Sequence, residues 1–194
     1  MLEKDLYIAS LVELLEKNPN YKQLFDYRGN KAVMFLDFSN ILCQAHDLSV
    51  WIDLKDLVYI FSKIYALKGY YAFTSCNLSN GMVNFLYDTG FVMYQSPFDS
   101  DAIMGYIINS VTRETDLDLV LIGTHDGGFR GVRDQLTQRG LNVAFLGFRE
   151  MFSHFLRSDN LFCFEDMNIL SALNQNDSID SPINGVRAQS RLES

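Results

Sequence analysis

An α/β fold built on a mainly parallel sheet is predicted by three features of the 194-residue sequence. Short apolar runs alternate with amphipathic segments from residue 31 to residue 164. The runs are nearly continuous in Val, Ile, Leu, Phe and Met, as strands buried on both faces are. Most of the connections are long enough to hold a helix. Each right-handed crossover then lays a helix on one face of the sheet, giving a three-layer sandwich. The expectation is five to six strands, in the order 3-2-1-4-5 for the first five, plus an N-terminal helix.

The elements follow in chain order. Residues 3–17 place Leu6, Leu11, Leu14 and Leu15 at near-helical spacing and predict an amphipathic helix stopped before Pro19. It is expected to flank the core or to meet a protein partner, a second copy included. A polar connection carrying Tyr21, Phe25 and Tyr27 leads to Val33-Met34-Phe35-Leu36-Asp37-Phe38-Ser39-Asn40, whose apolar half reads as the central strand. Asp53 with Asp56 three residues on resembles a capping box. The helix it starts presents Leu54, Leu57, Val58, Phe61, Ile64 and Tyr65, and Lys68-Gly69 is expected to close it. Residues 70–74 form the second strand, about 79–87 a helix stopped at Gly90, and 91–95 the third strand. Residues 101–115 form a helix with Ile103, Tyr106, Ile107 and Ser110 repeating at its period. The fourth strand covers 117–122. A helix over 129–139 follows, with Phe129, Val132 and Leu136 inward and Gly140 as its stop. The fifth strand covers 141–146, a short helix 151–156 and a sixth strand 161–164. From Asn174 the composition turns to Asn, Asp, Ser, Gly and Gln. The expected division is a helical extension over 1–30, one domain over 31–173 and a mobile tail over 174–194.

Composition narrows the function. The net charge of -8 argues against a protein that holds nucleic acid by bulk electrostatics, since that affinity comes from Lys and Arg on phosphates. An enzyme whose acids bind a cation stays open, because the metal reverses the local sign. No apolar run reaches the roughly 20 residues of a membrane helix, so no membrane association is expected. The start, Met1-Leu2-Glu3-Lys4-Asp5, lacks a signal peptide's pattern. Cys43, Cys76 and Cys163 form neither a disulfide framework nor a CxxC pair. Both observations fit a reducing, cytoplasmic setting.

Acids stand at three strand ends: Asp37 after the first, Asp99 and Asp101 after the third, Asp126 after the fourth. A carboxylate is not buried in an apolar core unless it is paired or binds a cation, so Asp37 belongs at the C-terminal edge of the sheet. In the expected strand order, strands one and four are neighbours whose helices leave on opposite faces, and a crevice opens between them. Asp101 would otherwise serve as an N-cap or first-turn helix acid, and Asp126 as a turn residue or an N-cap. Together these acids offer an oxygen-only donor set suited to Mg²⁺ or Mn²⁺ and not to zinc. Asn40 reads either as a turn residue or as a group orienting metal-bound water. His125 reads as a general base or substrate phosphate contact, or else a solvated loop residue, and Arg130 and Arg133 as phosphate contacts or a solvated helix face. Phe38 and Trp51 would pack or stack bases. An aspartate-nucleophile phosphatase would need a second acid where Ser39 stands. A dinucleotide-binding fold would need a Gly-x-Gly-x-x-Gly after the first strand.

These motifs resemble a NYN domain of the PIN-like nuclease superfamily, and the LabA-like branch in particular. Leu36-Asp37-Phe38-Ser39-Asn40 matches the family's first element, and Ser100-Asp101-Ala102 is similar to its second. Gly123-Thr124-His125-Asp126-Gly127-Gly128-Phe129 is similar to the third, followed by Gly140-Leu141-Asn142-Val143 and by a close over 153–162. The resemblance covers about 31–167. It implies a metal-dependent ribonuclease with Asp37, Asp101 and Asp126 as catalytic and metal-binding acids and Asn40 beside them, acting on RNA with Mg²⁺ or Mn²⁺. Asp99 is a further candidate ligand. Two departures stand out: Gly128 occupies the place of a second acid, and Tyr106 and Ile107 stand where many members carry one in the central helix. The alternative is therefore a weakened or inactive domain serving as an RNA-binding or protein-interaction module.

Overall fold

The apolar run ending at Asp37 forms the middle of a six-stranded sheet. The structure, a computed structural model, describes residues 2–97, 100–157 and 160–173. The main sheet contains β1 (Lys31–Asp37), β3 (Ala66–Thr74), β4 (Val92–Gln95), β5 (Leu119–Gly123), β6 (Asn142–Gly147) and β7 (Leu161–Cys163). Their order is β4-β3-β1-β5-β6-β7, with every adjacent pair parallel. Counted along the chain this is 3-2-1-4-5-6, the predicted order with the sixth strand added at the edge. A separate antiparallel pair joins β2 (Val50–Ile52) to β8 (Leu170–Ala172).

Alternation along β1 divides the core. Met34 and Leu36 face α1 (Leu2–Lys17), α3 (Phe38–Asp47), α4 (Leu54–Ile64) and α5 (Asn80–Thr89). Val33 and Phe35 face α6 (Ser100–Glu114) and α7 (Arg130–Gln138). With both faces covered, all of 32–37 is buried, which explains a run without polar alternation. At Gly123 the two strands come so close that a Cβ would overlap the end of the Leu36 side chain, so any larger residue there would force Leu36 to shift.

The N-terminal segment shares this core. Ile8, Leu11, Val12 and Leu15 are buried, whereas Leu6 and Leu14, expected on the same face, are each 66% exposed. The inward stripe is i, i+3, i+4, i+7 from Ile8, about a quarter-turn from the Leu-only reading. Between α1 and the short α2 (Lys22–Phe25), the buried Tyr21 ring stacks on Phe162, with its hydroxyl bonded to Asp166.

Four other local expectations change. The helix α3 follows β1 with no intervening turn, an element absent from the sequence expectation; Phe38, Ile41, Leu42 and Ala45 are its buried face. Lys68-Gly69 does not close α4 but lies in β3. Ala32 pairs with Leu67 and Val33 with Gly69, so Lys68 is the extra residue of a β-bulge. The buried stripe of α6 is Met104, Ile108 and Thr112, while Tyr106 is 72% exposed. Residues 151–156 form no α-helix. The Ser153 N–H donates across to the His125 carbonyl at 3.0 Å, which takes it out of a helical ladder. By contrast, Asp53 caps α4 through the Asp56 N–H, and Gly90 ends α5 with φ at 92°. The tail expected over 174–194 lies outside the described residues. Among the described residues, no helix is long and apolar enough to cross a membrane.

Candidate functional site

β1 and β5 lie side by side while α3 and α6 cover opposite faces of the sheet, so the C-terminal ends of these strands form its switch point. Asp37 is both the last residue of β1 and the N-cap of α3. Its Oδ1 accepts from the Asn40 N–H at 3.2 Å, and its Oδ2 accepts from the Thr124 hydroxyl at 3.3 Å. Thr124 is itself buried, and its oxygen accepts from the Asp126 N–H at 3.2 Å. Thr124 therefore ties the loop after β5 to the carboxyl after β1.

Asp37 is only 4% exposed. Burial pushes its pKa up to about 7; Asp101 and Asp126 push the same way, against the two hydrogen bonds. Both of the other predicted acids thus act on Asp37. Asp126 is exposed and caps the 3₁₀ turn Gly127–Phe129, accepting from the Gly128 N–H at 2.8 Å. Asp101 is exposed in the first turn of α6. The expected close cluster is not formed: among the described residues, no three His, Cys, Asp or Glu side chains come together as a group for one metal ion. Asp126 turned toward its own loop is one reason. Asp99 lies outside the described residues.

Asn40 and His125 form the other half of the site. Asn40 Oδ1 accepts from the His125 backbone N–H at 3.0 Å and lies 2.7 Å from His125 Nδ1. His125 Nε2 accepts from the Phe148 N–H at 2.8 Å, so the proton resides on Nδ1 and is donated to Asn40. The imidazole is 5% exposed, beside the rings of Phe148 and Phe152. Burial pushes its pKa down to about 4, keeping it neutral. His125 is therefore neither a substrate contact nor a solvated loop residue: both ring nitrogens are engaged, and it holds Asn40. With Oδ1 occupied twice, the group left for Asn40 to offer is its Nδ2 amino, a donor suited to an anionic oxygen and not to a metal.

The arginines divide. Arg133 lays its guanidinium on Asp134 at 2.8–2.9 Å, and Arg130 Nε lies 4.0 Å from the same carboxylate with its side chain half exposed. Of the proposed stacking rings, Phe38 is buried, and Trp51 packs 5.9 Å from Phe85. A hydroxyl cluster joins the site that the strand and helix patterns do not mark. Ser39 Oγ donates to Thr74 Oγ1 at 3.0 Å and accepts from the Ser75 N–H at 2.8 Å, fastening the end of β3 to the start of α3. Its signal was hydroxyl residues directly after two apolar strands.

The result is an oxygen-rich edge of the sheet with one buried acid, two exposed acids and an amide fixed as a donor. Its oxygens are of the kind that hold hydrated divalent cations, though among the described residues they are not gathered as one ligand group. No family model matches the sequence, and no curated protein matches it. A solved structure described as a protein of unknown function from Vibrio parahaemolyticus is similar in fold. It is 17% identical with a TM-score of 0.59, over 70% of this chain and 93% of that one. At that identity the likeness concerns the sheet and its helices.

Proposed function

We propose that this chain is a metal-dependent ribonuclease of the NYN, PIN-like type, hydrolysing RNA phosphodiester bonds at the crevice between β1 and β5. The observation that supports this most is Asp37, a buried carboxyl at the switch point whose pKa is raised further by Asp101 and Asp126. Such a concentration of negative charge is relieved by a cation. The donor chemistry fits Mg²⁺ or Mn²⁺, which is commonly held through one or two carboxylates with waters completing the shell. Asp37, Asp101 and Asp126 would hold it. Bound there, it would polarise the phosphodiester and activate water. Asn40 Nδ2 would donate to a non-bridging phosphate oxygen. His125 keeps that amide from rotating, and Thr124 keeps Asp37 aimed. The three cysteines are unpaired, in keeping with a reducing cytoplasmic setting. A protein partner would meet the exposed Leu6 and Leu14 of α1.

The test is cleavage of single-stranded and structured RNA with Mg²⁺ or Mn²⁺ by the purified protein, Asp37→Asn and Asp126→Asn. Losses on the order of 100-fold or more are expected in both variants. Cleavage that survives both substitutions would sink the proposal.

A weakened or inactive module is the second reading, favoured by Gly128 and by the open spacing of the acids. Gly128 offers a direct way to choose. A Cβ there would sit 3.4 Å from Asp126 Oδ1, so an acid fits beside Asp126 without displacing backbone. Gly128→Asp is expected to tighten Mn²⁺ binding roughly tenfold, the effect of about 1.4 kcal/mol from one added carboxylate. Calorimetric titration measures it. Unchanged affinity together with no cleavage by the natural protein would establish the module.

A further inference from the structure

With Ile8, Leu11, Val12 and Leu15 of α1 buried against the core, the opposite side of the helix is expected to be polar. At about 3.6 residues per turn, that side carries Glu3, Leu6, Ser10, Leu14 and Lys17. All of these are exposed, Leu6 and Leu14 to 66% each. A single exposed leucine is ordinary. Here two lie on one stripe, each four residues from the small Ser10. Glu3 and Lys17 stand seven residues from the same serine, on opposite sides of it, with opposite charges. Other charges of α1 are engaged within the chain: Lys4 with Asp56, Asp5 with Lys63 and Glu16 with Arg28. Glu3 and Lys17 make no ion pair among the described residues. The stripe is therefore symmetric in shape about Ser10 and antisymmetric in charge, so its two ends complement each other.

We propose that this face binds a second copy of the chain, the two α1 helices packing antiparallel about a two-fold axis at Ser10. A two-fold contact brings residue i of one copy to residue j of the other, and j to i. With the axis at Ser10, Leu6 meets the second copy's Leu14 and Glu3 meets its Lys17, each contact made twice. The sides agree as well as the levels. Around the helix, Leu6 and Leu14 lie equally far to either side of Ser10, as do Glu3 and Lys17. The half-turn that relates the copies exchanges those sides, so residues that share a level also share a side. Ser10 at the crossing lets the helix axes come to the roughly 8–10 Å of packed helices. A parallel pair would set Glu3 against Glu3 and Lys17 against Lys17, which repel. With two leucines from each copy the contact is small, and a dissociation constant on the order of 10 μM is expected. The inference rests on the reading of Leu6 and Leu14 as a partner's contact and is independent of the ribonuclease reading.

The test is sedimentation equilibrium of the full chain at low salt, where charge contacts are least screened. Concentrations run from about 1 to about 200 μM, on either side of the expected constant. The natural protein is expected to pass from one chain to two across that range. Leu6→Ala and Leu14→Ala are each expected to weaken pairing about tenfold or more, since each removes an apolar contact twice. Glu3→Lys and Lys17→Glu are each expected to weaken it about 3- to 30-fold, because two exposed ion pairs become repulsive. An equimolar mixture of those two charge-reversed chains is expected to pair as well as the natural protein, as is a chain carrying both substitutions, because every contact again joins opposite charges. The exposed positions keep these variants folded, which circular dichroism checks. A natural protein that remains a single chain at the highest concentration overturns the pairing and leaves Leu6 and Leu14 to a different protein partner. A dimer indifferent to Leu6→Ala and Leu14→Ala forms through another face and overturns it too. Charge-reversed chains that do not recover on mixing overturn the antiparallel arrangement.

Discussion

Asp37→Asn is expected to abolish cleavage and, at the same time, to make the protein more stable at pH 8. The folded carboxyl keeps its proton up to about pH 7, whereas the same group in an unfolded chain loses it near 3.8. Between those values the folded state holds the extra proton. The contribution of Asp37 is therefore fully present below pH 3.8 and declines as pH rises to 7. At pH 8 the carboxylate is ionised in a site that burial makes unfavourable, a penalty of roughly 4 kcal/mol at about 1.4 kcal/mol per pKa unit. Asparagine has nearly the same shape and carries no charge. It can still accept from the Asn40 N–H and can donate to Thr124 Oγ1. Urea unfolding at pH 8 is expected to show a gain on the order of 2–3 kcal/mol, alongside loss of divalent-cation binding. A variant less stable than the natural protein at pH 8 would contradict this account of Asp37.

His125→Ala is expected to be among the most damaging substitutions in the chain, destabilising by about 3–5 kcal/mol. It removes a ring packed on Phe148 and Phe152 and leaves the buried Phe148 N–H without its acceptor. Asn40 loses the Nδ1–H partner of its Oδ1 as well, so phosphate recognition should fall with stability. Gly147→Ala approaches the same ring from outside. Its methyl group would sit 2.6 Å from His125 Nε2, where the Phe148 N–H donates, and a loss of 1–3 kcal/mol is expected for such overpacking. Urea unfolding of both variants measures these losses, and a neutral result for each would show that the ring is dispensable.

The pH dependence ties the two residues together. His125 is held neutral down to about pH 4, against 6.5 unfolded. Its contribution is present above 6.5 and is lost as pH falls toward 4, opposite in sign to that of Asp37. From pH 4 to 6.5 the two slopes, each about 1.4 kcal/mol per pH unit, nearly cancel. In Asp37→Asn the histidine slope stands alone, so that variant should gain stability steadily over the same interval.

What could be read in advance follows from where the physical signal is local. The buried strands declare themselves because both faces need apolar residues, so 33–36 and 119–122 carry no polar interruption. The positions of Asp37 and Asp126 follow from the ends of those runs. The helix α3 had a usable pattern in Phe38, Ile41, Leu42 and Ala45, but it begins on the residue after β1 ends, with no turn residue to mark it. The strands β2 and β8 are three residues each, below what alternation can reveal. His125 sits among Gly, Thr and Asp and reads as loop. Its burial is set by Asn40 and Phe148, 85 and 23 residues away, which no window of sequence contains. The spacing of the acids depends on side-chain rotation and could not be read at all.

The ribbon of β2 and β8 sets an order on how the protein is made. Ile52 pairs with Leu170, so the first strand of the ribbon leaves the ribosome long before its partner exists. At 5–20 residues per second, the roughly 120 residues between them take about 6–24 s. For that time Val50-Trp51-Ile52 has an open hydrogen-bonding edge beside apolar side chains, while the local helices have had ample time to form. Slow translation would lengthen this exposure. The interval in which a nascent chain of this protein is most prone to pair with a neighbour is therefore fixed by synthesis speed and not by the stability of the finished fold.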